Sequence, residues 1–454
     1  MTAFMRNSDA FTWAMESDPR LRSTVVTIVL LDRSPDWQAV RDRFDLMSRT
    51  LPVFRQRVVA SPWPAPPRWE YDPNFDLGYH MRRVAVPAQG TLDDVLELAR
   101  LAEMQDFDRA RALWEATLVE GLDDGGAALI CKFHHALTDG IGGVQIAMNL
   151  FSLSENACAR EPMPLAPRAS GLSLLGRYRD TLRYDTGVLG SAVASAVTGA
   201  PRLMCESARR PVATVRSVAS TAASVYRTVR PITRTGSPLV TDRGLNRRLG
   251  VHDVPRPLLR EVAHRCGGAL NDAFVAGVAG ALWRYHDEHG VTVGDLHLTM
   301  PVSLRTPVDD IGGNHITLMR FDVPVGGTDP AARVRAIHQR SGAVRDERSL
   351  PYTQAIAGAL NLLPRWYLGF VLRHVDFLAS DVPGVPVPVF LGGAAVRAQY
   401  AFGPTIGSSV NVTLFTYVDT CALGINVDTA AIPDYDVFHD AIVDSFDELL
   451  SLAE

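Results

Sequence analysis

The chain has 454 residues, 47% of them hydrophobic, and a formal net charge of −5. This length and apolar content allow large buried cores and predict more than one domain. The slightly acidic balance argues against a nucleic-acid partner. Five widely spaced cysteines, without a CxxC pair, argue against a disulfide framework or a zinc site and favour a reducing compartment.

The N-terminus lacks the features of a targeting segment. Residues 1–18 carry three acidic side chains and no apolar stretch followed by a cleavage site, so they do not resemble a signal peptide. The apolar run Val25–Leu31 is far shorter than the roughly 20 residues that cross a bilayer. We therefore expect a cytoplasmic protein that contacts membranes only from the surface.

Hydrophobic periodicity divides the chain into three regions. Residues 1–169 and 245–454 each mix predicted strands and helices, whereas residues 170–244 are rich in Ala, Ser, Val and Thr with recurring arginines. The predicted elements are, in chain order, strand Thr24–Leu31, helices Trp37–Leu46 and Leu92–Met104, strand Ala127–Phe133, helices Leu258–Cys266 and Asn271–His286, strands His297–Val302, Ile316–Val323, Ser409–Tyr417 and Ala422–Val427, and helix Val437–Leu450. Interleaving without a strict βαβ order predicts two mixed α/β domains and a linker.

One strand is predicted to end at two adjacent histidines. His134 and His135 follow the apolar run from Ala127, and Asp139 and Gly140 come next. Adjacent side chains on an extended chain point to opposite faces, so the pair is poorly arranged to hold one metal ion. Two interpretations remain: both imidazoles serve packing, or one is a general base, for which a pKa near 6.5 is suitable.

The residues after the pair fit the second interpretation. Asp139 can fix the loop and the ring orientation, and Gly140 permits a backbone conformation or a close approach that a side chain would block. The stretch Ile141-Gly142-Gly143 lacks the spacing of a phosphate-binding loop and indicates close packing at a helix start. Trp114 is assigned to the core.

His134–Gly140 resembles the HHxxxDG motif of the CoA-dependent acyltransferase superfamily. Further stretches resemble, in the same order, motifs of the bacterial wax ester synthase/diacylglycerol acyltransferase family. They are Ser8–Phe11, Phe107–Glu115 (LDRxRPLWE), Asn271-Asp272 (ND), Pro301–Arg305 (PVSxR), Gly313-Asn314 (GN), Asp381–Gly384 (NVPGP), and Phe402–Pro404 with Asn411–Thr413. The chain departs from this pattern at Ala112, where proline is usual, and at Asp381, where asparagine is usual.

The resemblance implies two chloramphenicol-acetyltransferase-like domains, each an α/β sandwich (α+β sandwich), joined by a helical linker and with a tunnel between them. Acyl-CoA is then the co-substrate, diacylglycerol or a long-chain alcohol is the acceptor, and His135 is the base. No metal, no other cofactor and no covalent acyl-enzyme are implied. Two alternatives are a related condensation-type or complex-lipid acyltransferase and a non-catalytic lipid-droplet-binding paralogue.

The remaining candidate site residues each have a plainer explanation. Asp139 is expected to support catalysis as a structural residue paired with a distant arginine, with a direct catalytic relay as the alternative, and His134 is expected to be a packing or hydrogen-bonding neighbour. Asn271 and Asp272 shape the active-site floor, or Asn271 is a simple helix N-cap. Arg305 pairs with Asp139, meets a CoA phosphate, or forms an ordinary ion pair.

The middle region carries an arginine-rich stretch. Seven arginines between Arg202 and Arg234 face one acid, Glu206, and small or apolar residues fill most of the gaps. The stretch is either a solvated interdomain helix or a basic surface that rests on anionic lipid. The second interpretation predicts peripheral association with the inner membrane or lipid droplets.

Overall fold

A computed structural model of the protein describes residues 3–137, 143, 146, 148–155, 163–167, 173–190, 232–303, 316–327, 329–345, 356, 358, 360–361 and 374–454. The strands are β1 (Ala3–Phe4), β2 (Thr24–Leu31), β3 (Gln56–Val59), β4 (Arg68–Tyr71), β5 (Met81–Gly90), β6 (Trp114–Leu122), β7 (Ala127–His134), β8 (Arg247–Pro255), β9 (Asp295–Ser303), β10 (Ile316–Pro324), β11 (Phe377–Val382), β12 (Phe390–Leu391), β13 (Ala394–Phe402), β14 (Val410–Tyr417) and β15 (Thr420–Asp428). The main helices are α1 (Asn7–Met15), α2 (Trp37–Thr50), α3 (Leu77–His80), α4 (Leu92–Met104), α5 (174–190), α6 (Arg256–Arg265), α7 (Leu270–Glu288), α8 (Pro330–Arg345) and α9 (Tyr435–Leu450).

The N-terminal half is built on a six-stranded sheet in the order β12-β13-β2-β7-β6-β5. Strand β7 lies inside this sheet, antiparallel to both β2 and β6. Residues Ala127–Lys132 of β7 are all buried, which explains why the strand reads as a continuous apolar run. The end of β7, where the histidine pair lies, is therefore held on both sides.

Different helices cover the two faces of this sheet. On one face Val40 and Phe44 of α2 pack with Leu129 of β7. On the other face Val95 of α4 packs with Ile130, and the same cluster contains Leu249 of the C-terminal half. Helix α4 thus lies between the two halves of the molecule, and its apolar side contributes to their shared core.

The C-terminal half is a second six-stranded sheet in the order β10-β9-β11-β14-β15-β8. Helices α6 to α9 pack together with this sheet around the largest apolar cluster, which includes Phe274, Leu298, Leu414 and Phe446. Helix α7 is apolar on nearly all sides because both the sheet and the neighbouring helices bury it. The opposite face of the sheet points toward the N-terminal half.

Strand β13 connects the two halves. It pairs antiparallel with β2 in the N-terminal sheet, although it lies in the C-terminal part of the sequence. Its backbone also approaches β15, where a Cβ at Gly424 would lie 2.0 Å from the carbonyl oxygen of Ala401. Glycine at this position is what lets the two strands come together.

The mixed α/β fold with two domains, predicted from sequence, is confirmed. Observed bounds agree with the predicted ones to within a few residues; helix α6 begins two residues early because Pro257 fits its first turn. The boundaries at 169/170 and 244/245 stay predictions. The predicted boundaries assign residues 390–402 to the C-terminal domain, whereas β12 and β13 lie in the N-terminal sheet.

Candidate active site

The histidine pair lies at the junction of three strands. His134 is the last residue of β7, and its N–H donates to Leu113 O, just before β6, at 3.1 Å. The N–H of His135 donates to Ser23 O, just before β2, at 2.8 Å. Backbone bonds to both neighbours thus fix the point where the pair leaves the sheet.

His134 is completely buried and is held by its ring nitrogens. Its Nδ1 accepts a hydrogen bond of 3.0 Å from the N–H of Ala136, so Nδ1 carries no proton in this arrangement. The proton of the neutral ring is then on Nε2, which lies 3.1 Å from Oε1 of Glu16. That contact is within ion-pair distance but off the line of a straight hydrogen bond.

Glu16, directly after α1, organises this end of the sheet. Its Oε1 also accepts the N–H of Ser23 at 2.9 Å. Burial raises the pKa of the Glu16 carboxyl, while the contact with His134 and the bond from Ser23 lower it. The lowering effects, with the nearby charge of Arg109, outweigh burial, so the pKa of Glu16 lies below its ordinary value.

An aromatic and a basic side chain complete the surroundings of His134. The ring of Trp13 lies 5.4 Å from the His134 ring, and the Arg109 guanidinium covers Trp13 at 4.4 Å. Arg109 also lies 3.5 Å from Oε2 of Glu16. Sequence reasoning missed Glu16 and Trp13 as neighbours of the pair; Arg109 lay inside the stretch that resembles a family motif.

Three of the other predicted site residues fall outside the described part of the chain, and Trp114 lies in the core. Asp139, Gly140 and Arg305 lie outside the described residues, so their roles stay predictions. Trp114 is buried in the core as expected, and its Nε1 donates to Phe54 O.

Asn271 and Asp272 lie in the first turn of α7, in the C-terminal half. The N-cap is Ala269, so the expectation that Asn271 is the cap was wrong. Asp272, the third residue of the helix, accepts the N–H of Ala269 at 2.8 Å. Its carboxylate also accepts His338 Nδ1 of α8 at 2.7 Å and Ser341 Oγ at 3.0 Å.

The two departures from the family pattern lie apart from His134. Ala112 is buried just before β6. Asp381 is the penultimate residue of β11 and is exposed. Neither contacts the Glu16–His134 pair among the described contacts.

Solved structures share this fold along the whole chain. The wax ester synthase/diacylglycerol acyltransferase of Marinobacter aquaeolei VT8 aligns with a TM-score of 0.64 over 99% of both chains, at 20% identity. The starter condensation domain of rhizomide synthetase, solved with C8-CoA and Leu-SNAC, aligns with a TM-score of 0.64 over 100% of this chain and 94% of that chain, at 13% identity. The fold is therefore the two-domain fold that these acyltransferases and condensation domains share.

Sequence comparison places the chain more narrowly. The profile of the wax ester synthase/diacylglycerol acyltransferase catalytic domain matches residues 5–274, and that of the family's C-terminal domain matches residues 312–450. A Mycobacterium tuberculosis protein named as a diacylglycerol O-acyltransferase is 36% identical over 444 residues, which cover 96% of this chain and 90% of that protein. A second one is 30% identical over 378 residues, covering 79% and 78%. The chain belongs to the wax ester synthase/diacylglycerol acyltransferase family and is an acyltransferase.

Proposed function

We propose that the protein transfers a long-chain acyl group from acyl-CoA to diacylglycerol, to a long-chain alcohol, or to both, with His135 as the general base. The observation that carries the assignment is the engagement of His134 by Ala136 and Glu16. A buried ring whose Nδ1 accepts a backbone hydrogen bond and whose Nε2 faces a carboxylate is poorly placed to exchange protons with a substrate. Of the pair, His135 is then the imidazole that remains for the chemistry.

The proposed reaction is a direct transfer. His135 takes the hydroxyl proton of the acceptor while that oxygen attacks the thioester carbonyl carbon. The tetrahedral oxyanion collapses, the C–S bond breaks, and the CoA thiolate leaves and regains a proton from the imidazolium. A positioned base contributes about 10²–10⁴-fold; holding both substrates together and stabilising the oxyanion would supply more. The reaction as written uses no metal, no further cofactor and no acyl-enzyme.

The names of the relatives support diacylglycerol as an acceptor. The names of the matched family profile and of the Marinobacter structure include wax ester synthase beside diacylglycerol acyltransferase. They therefore support a long-chain alcohol as a second acceptor. The similar fold of condensation domains keeps a condensation-type or complex-lipid transfer as the second candidate. A non-catalytic lipid-droplet-binding role is the third.

One experiment separates these three candidates. Purified protein is incubated with labelled palmitoyl-CoA alone, with diolein, and with hexadecanol, and both lipid products and CoA release are measured. The proposal expects triacylglycerol or wax ester in amounts equal to the CoA released, and little release without acceptor. Release with no neutral-lipid product would favour another acceptor class, and no release from folded protein would favour the non-catalytic role.

We also propose that the protein works in the cytoplasm, at the surface of the inner membrane or of lipid droplets. No helix among the described residues is long and apolar enough to cross a bilayer. Helix α5 supports a surface association: Arg177 and Tyr184 attach it to the small sheet β1-β4-β3 through Glu70 and Phe4. Its outward side exposes apolar side chains, among them Leu175, Leu182 and Leu189. Most of the stretch Arg202–Arg234 lies outside the described residues.

A further inference from the structure

One row of side chains crosses the whole C-terminal sheet. The strand registers place one residue of each strand side by side: Arg320, Thr299, Leu378, Asn411, Asn426 and Leu249. Their chain neighbours Met319, Leu298 and Val410 point the other way, into the helix-covered core. Since side chains alternate along a strand, the row lies on the face opposite those helices.

Contacts along the row show that this face meets the N-terminal half. Asn426 Nδ2 donates to Gly403 O at 2.9 Å and lies 3.5 Å from Glu103 Oε1 of α4. Asn411 Nδ2 donates to Pro404 O at 2.8 Å. Leu249 belongs to the apolar cluster between the two halves. The amide side chains of the row are therefore bonded across the space between the sheets.

The other end of the row has polar groups without such bonds. Thr299 is 1% exposed, and its Oγ1 has no hydrogen-bond partner among the described residues. Arg320, directly opposite on β10, is partly accessible, but its Nη1 is buried and likewise lacks a described partner. Two buried donors thus lie side by side on neighbouring strands.

No described carboxylate neutralises Arg320. Asp322, two residues along on the same face, lies 2.7 Å from His297 Nδ1. Burial lowers the pKa of Arg320 to about 10, and no neighbouring charge contributes to that shift. An arginine stays protonated at that value, so this face of the sheet carries a partly buried positive charge with no described acid beside it.

We propose that Arg320 and Thr299 bind one anionic group, a phosphate or a carboxylate, of a ligand that enters between the two halves of the molecule. A guanidinium fork matches both groups geometrically, and the adjacent hydroxyl supplies a further donor. Diacylglycerol and fatty alcohols carry no such charge. The ligand group is therefore either a phosphate of the CoA co-substrate or the acid group of a charged acceptor, and in the second case the protein acylates hydroxy acids as well as neutral alcohols.

The test measures binding without turnover, so it does not depend on the proposed reaction. Variants Arg320→Met, Arg320→Lys and Thr299→Val are compared with wild type by calorimetric titration with CoA, inorganic phosphate, 12-hydroxydodecanoate and uncharged dodecanol. The matched control is Arg333→Met, since Arg333 is also a buried arginine but lies on α8 and donates to Gly327 O.

We expect Arg320→Met to weaken binding of at least one anionic probe about tenfold to a hundredfold, the range for a hydrogen bond to a charged group. Arg320→Lys and Thr299→Val should weaken it less, and dodecanol binding and the Arg333→Met variant should match wild type. Loss confined to CoA and phosphate would assign the site to the co-substrate, and loss confined to 12-hydroxydodecanoate would assign it to an acidic acceptor.

Free-protein stability gives an independent readout. Removing an unpaired buried charge should leave the Tm of Arg320→Met equal to or above that of wild type, whereas Arg333→Met should lower it. The proposal is overturned if wild type binds no anionic probe, or if all variants bind every probe as wild type does. A Tm for Arg320→Met as low as that of Arg333→Met would also contradict it, because Arg320 would then have a structural partner.

Discussion

Glu16 determines how the first histidine of the pair is held. Its carboxylate contacts the ring of His134 and the backbone of Ser23 within a largely buried environment. Because the folded-state pKa of Glu16 is lowered, its ionisation stabilises the fold above the ordinary carboxyl pKa. That stabilisation should disappear as the pH falls through the lowered value.

We expect Glu16→Gln to reduce the free energy of unfolding by about 1–3 kcal/mol at pH 7, the range for losing a charged hydrogen-bond partner. The gap in Tm from wild type should be widest at neutral pH and should close below the ordinary carboxyl pKa. Thermal melts from pH 7 to pH 3.5 measure it. A gap that stays constant over this range would show that the charge of Glu16 does not matter to the fold.

The histidine pair was visible in the sequence, but its surroundings were not. Spacing and the strand-end position indicated His134 and His135, and alternation of side chains predicted that they would serve differently. Glu16 and Trp13 approach His134 only because α1 packs beside the end of β7. A local sequence pattern cannot indicate a contact between residues that are more than one hundred positions apart in the chain.

At the scale of elements, Asp272 joins two helices of the C-terminal half. It caps α7 through Ala269 and receives His338 and Ser341 from α8. Asp272→Ala removes all three bonds, so we expect the Tm to fall by several degrees, since a lost cap alone costs about 0.5–2 kcal/mol. The kcat measured well below the Tm should change little.

The neighbouring Asn271→Ala is the matched control for that prediction. Its only described side-chain hydrogen bond is a weak one to Met300 Sδ at 3.5 Å, so its removal should leave the Tm nearly unchanged. If Asp272→Ala kept its Tm and lost activity, the result would favour the alternative in which this turn shapes the active-site floor.

Local patterns identified most elements but not their partners. Helix α4 and strand β2 have the bounds that periodicity predicted, because each has a clear apolar side or run. The place of β13 beside β2 could not be predicted in this way. Many strands of both sheets are apolar, and register and strand order depend on the whole fold.

At the scale of the whole molecule, Glu103 lies where α4 meets the C-terminal sheet. It is 4% exposed, and its Oε2 has no described hydrogen-bond partner. Burial raises the pKa of its carboxyl, and the charge of Arg247 only partly offsets this. A raised carboxyl pKa means that ionisation weakens the folded state, so stability is lost as the pH rises through that value.

Glu103→Gln should therefore raise the Tm at pH 8, and the gain should shrink as the pH falls through the raised pKa of Glu103 and vanish below the ordinary carboxyl pKa. A gain of about 1 kcal/mol corresponds to roughly 2–4 °C in a unit of 150–250 residues. Melts at pH 8, 6 and 4 measure the trend. If the Tm of Glu103→Gln is instead below that of wild type at pH 8, and this deficit is smaller at pH 4, the Glu103 carboxylate stabilises the fold.

Surface association should involve both α5 and the arginine-rich stretch. Each arginine near an anionic surface contributes about 1 kcal/mol, and salt screens this over about 8–10 Å. Co-sedimentation with anionic vesicles should fall with rising salt and with Arg209, Arg210 and Arg216 changed to Gln, while activity on detergent-dispersed substrate persists. Leu175→Ser with Leu182→Ser should weaken binding at every salt concentration. Binding indifferent to salt, lipid charge and these substitutions would rule out the surface proposal.

The most direct test of the whole account is the kcat of His135→Ala with palmitoyl-CoA and saturating acceptor. Loss of a general base predicts a fall of about 10²–10⁴-fold, with the Tm close to that of wild type because the backbone bond to Ser23 remains. His134→Ala, measured alongside, should lower the Tm and reduce kcat less. A His135→Ala variant that keeps more than about a tenth of the wild-type kcat, well above the range for a lost base, would contradict the assignment of His135 as the base.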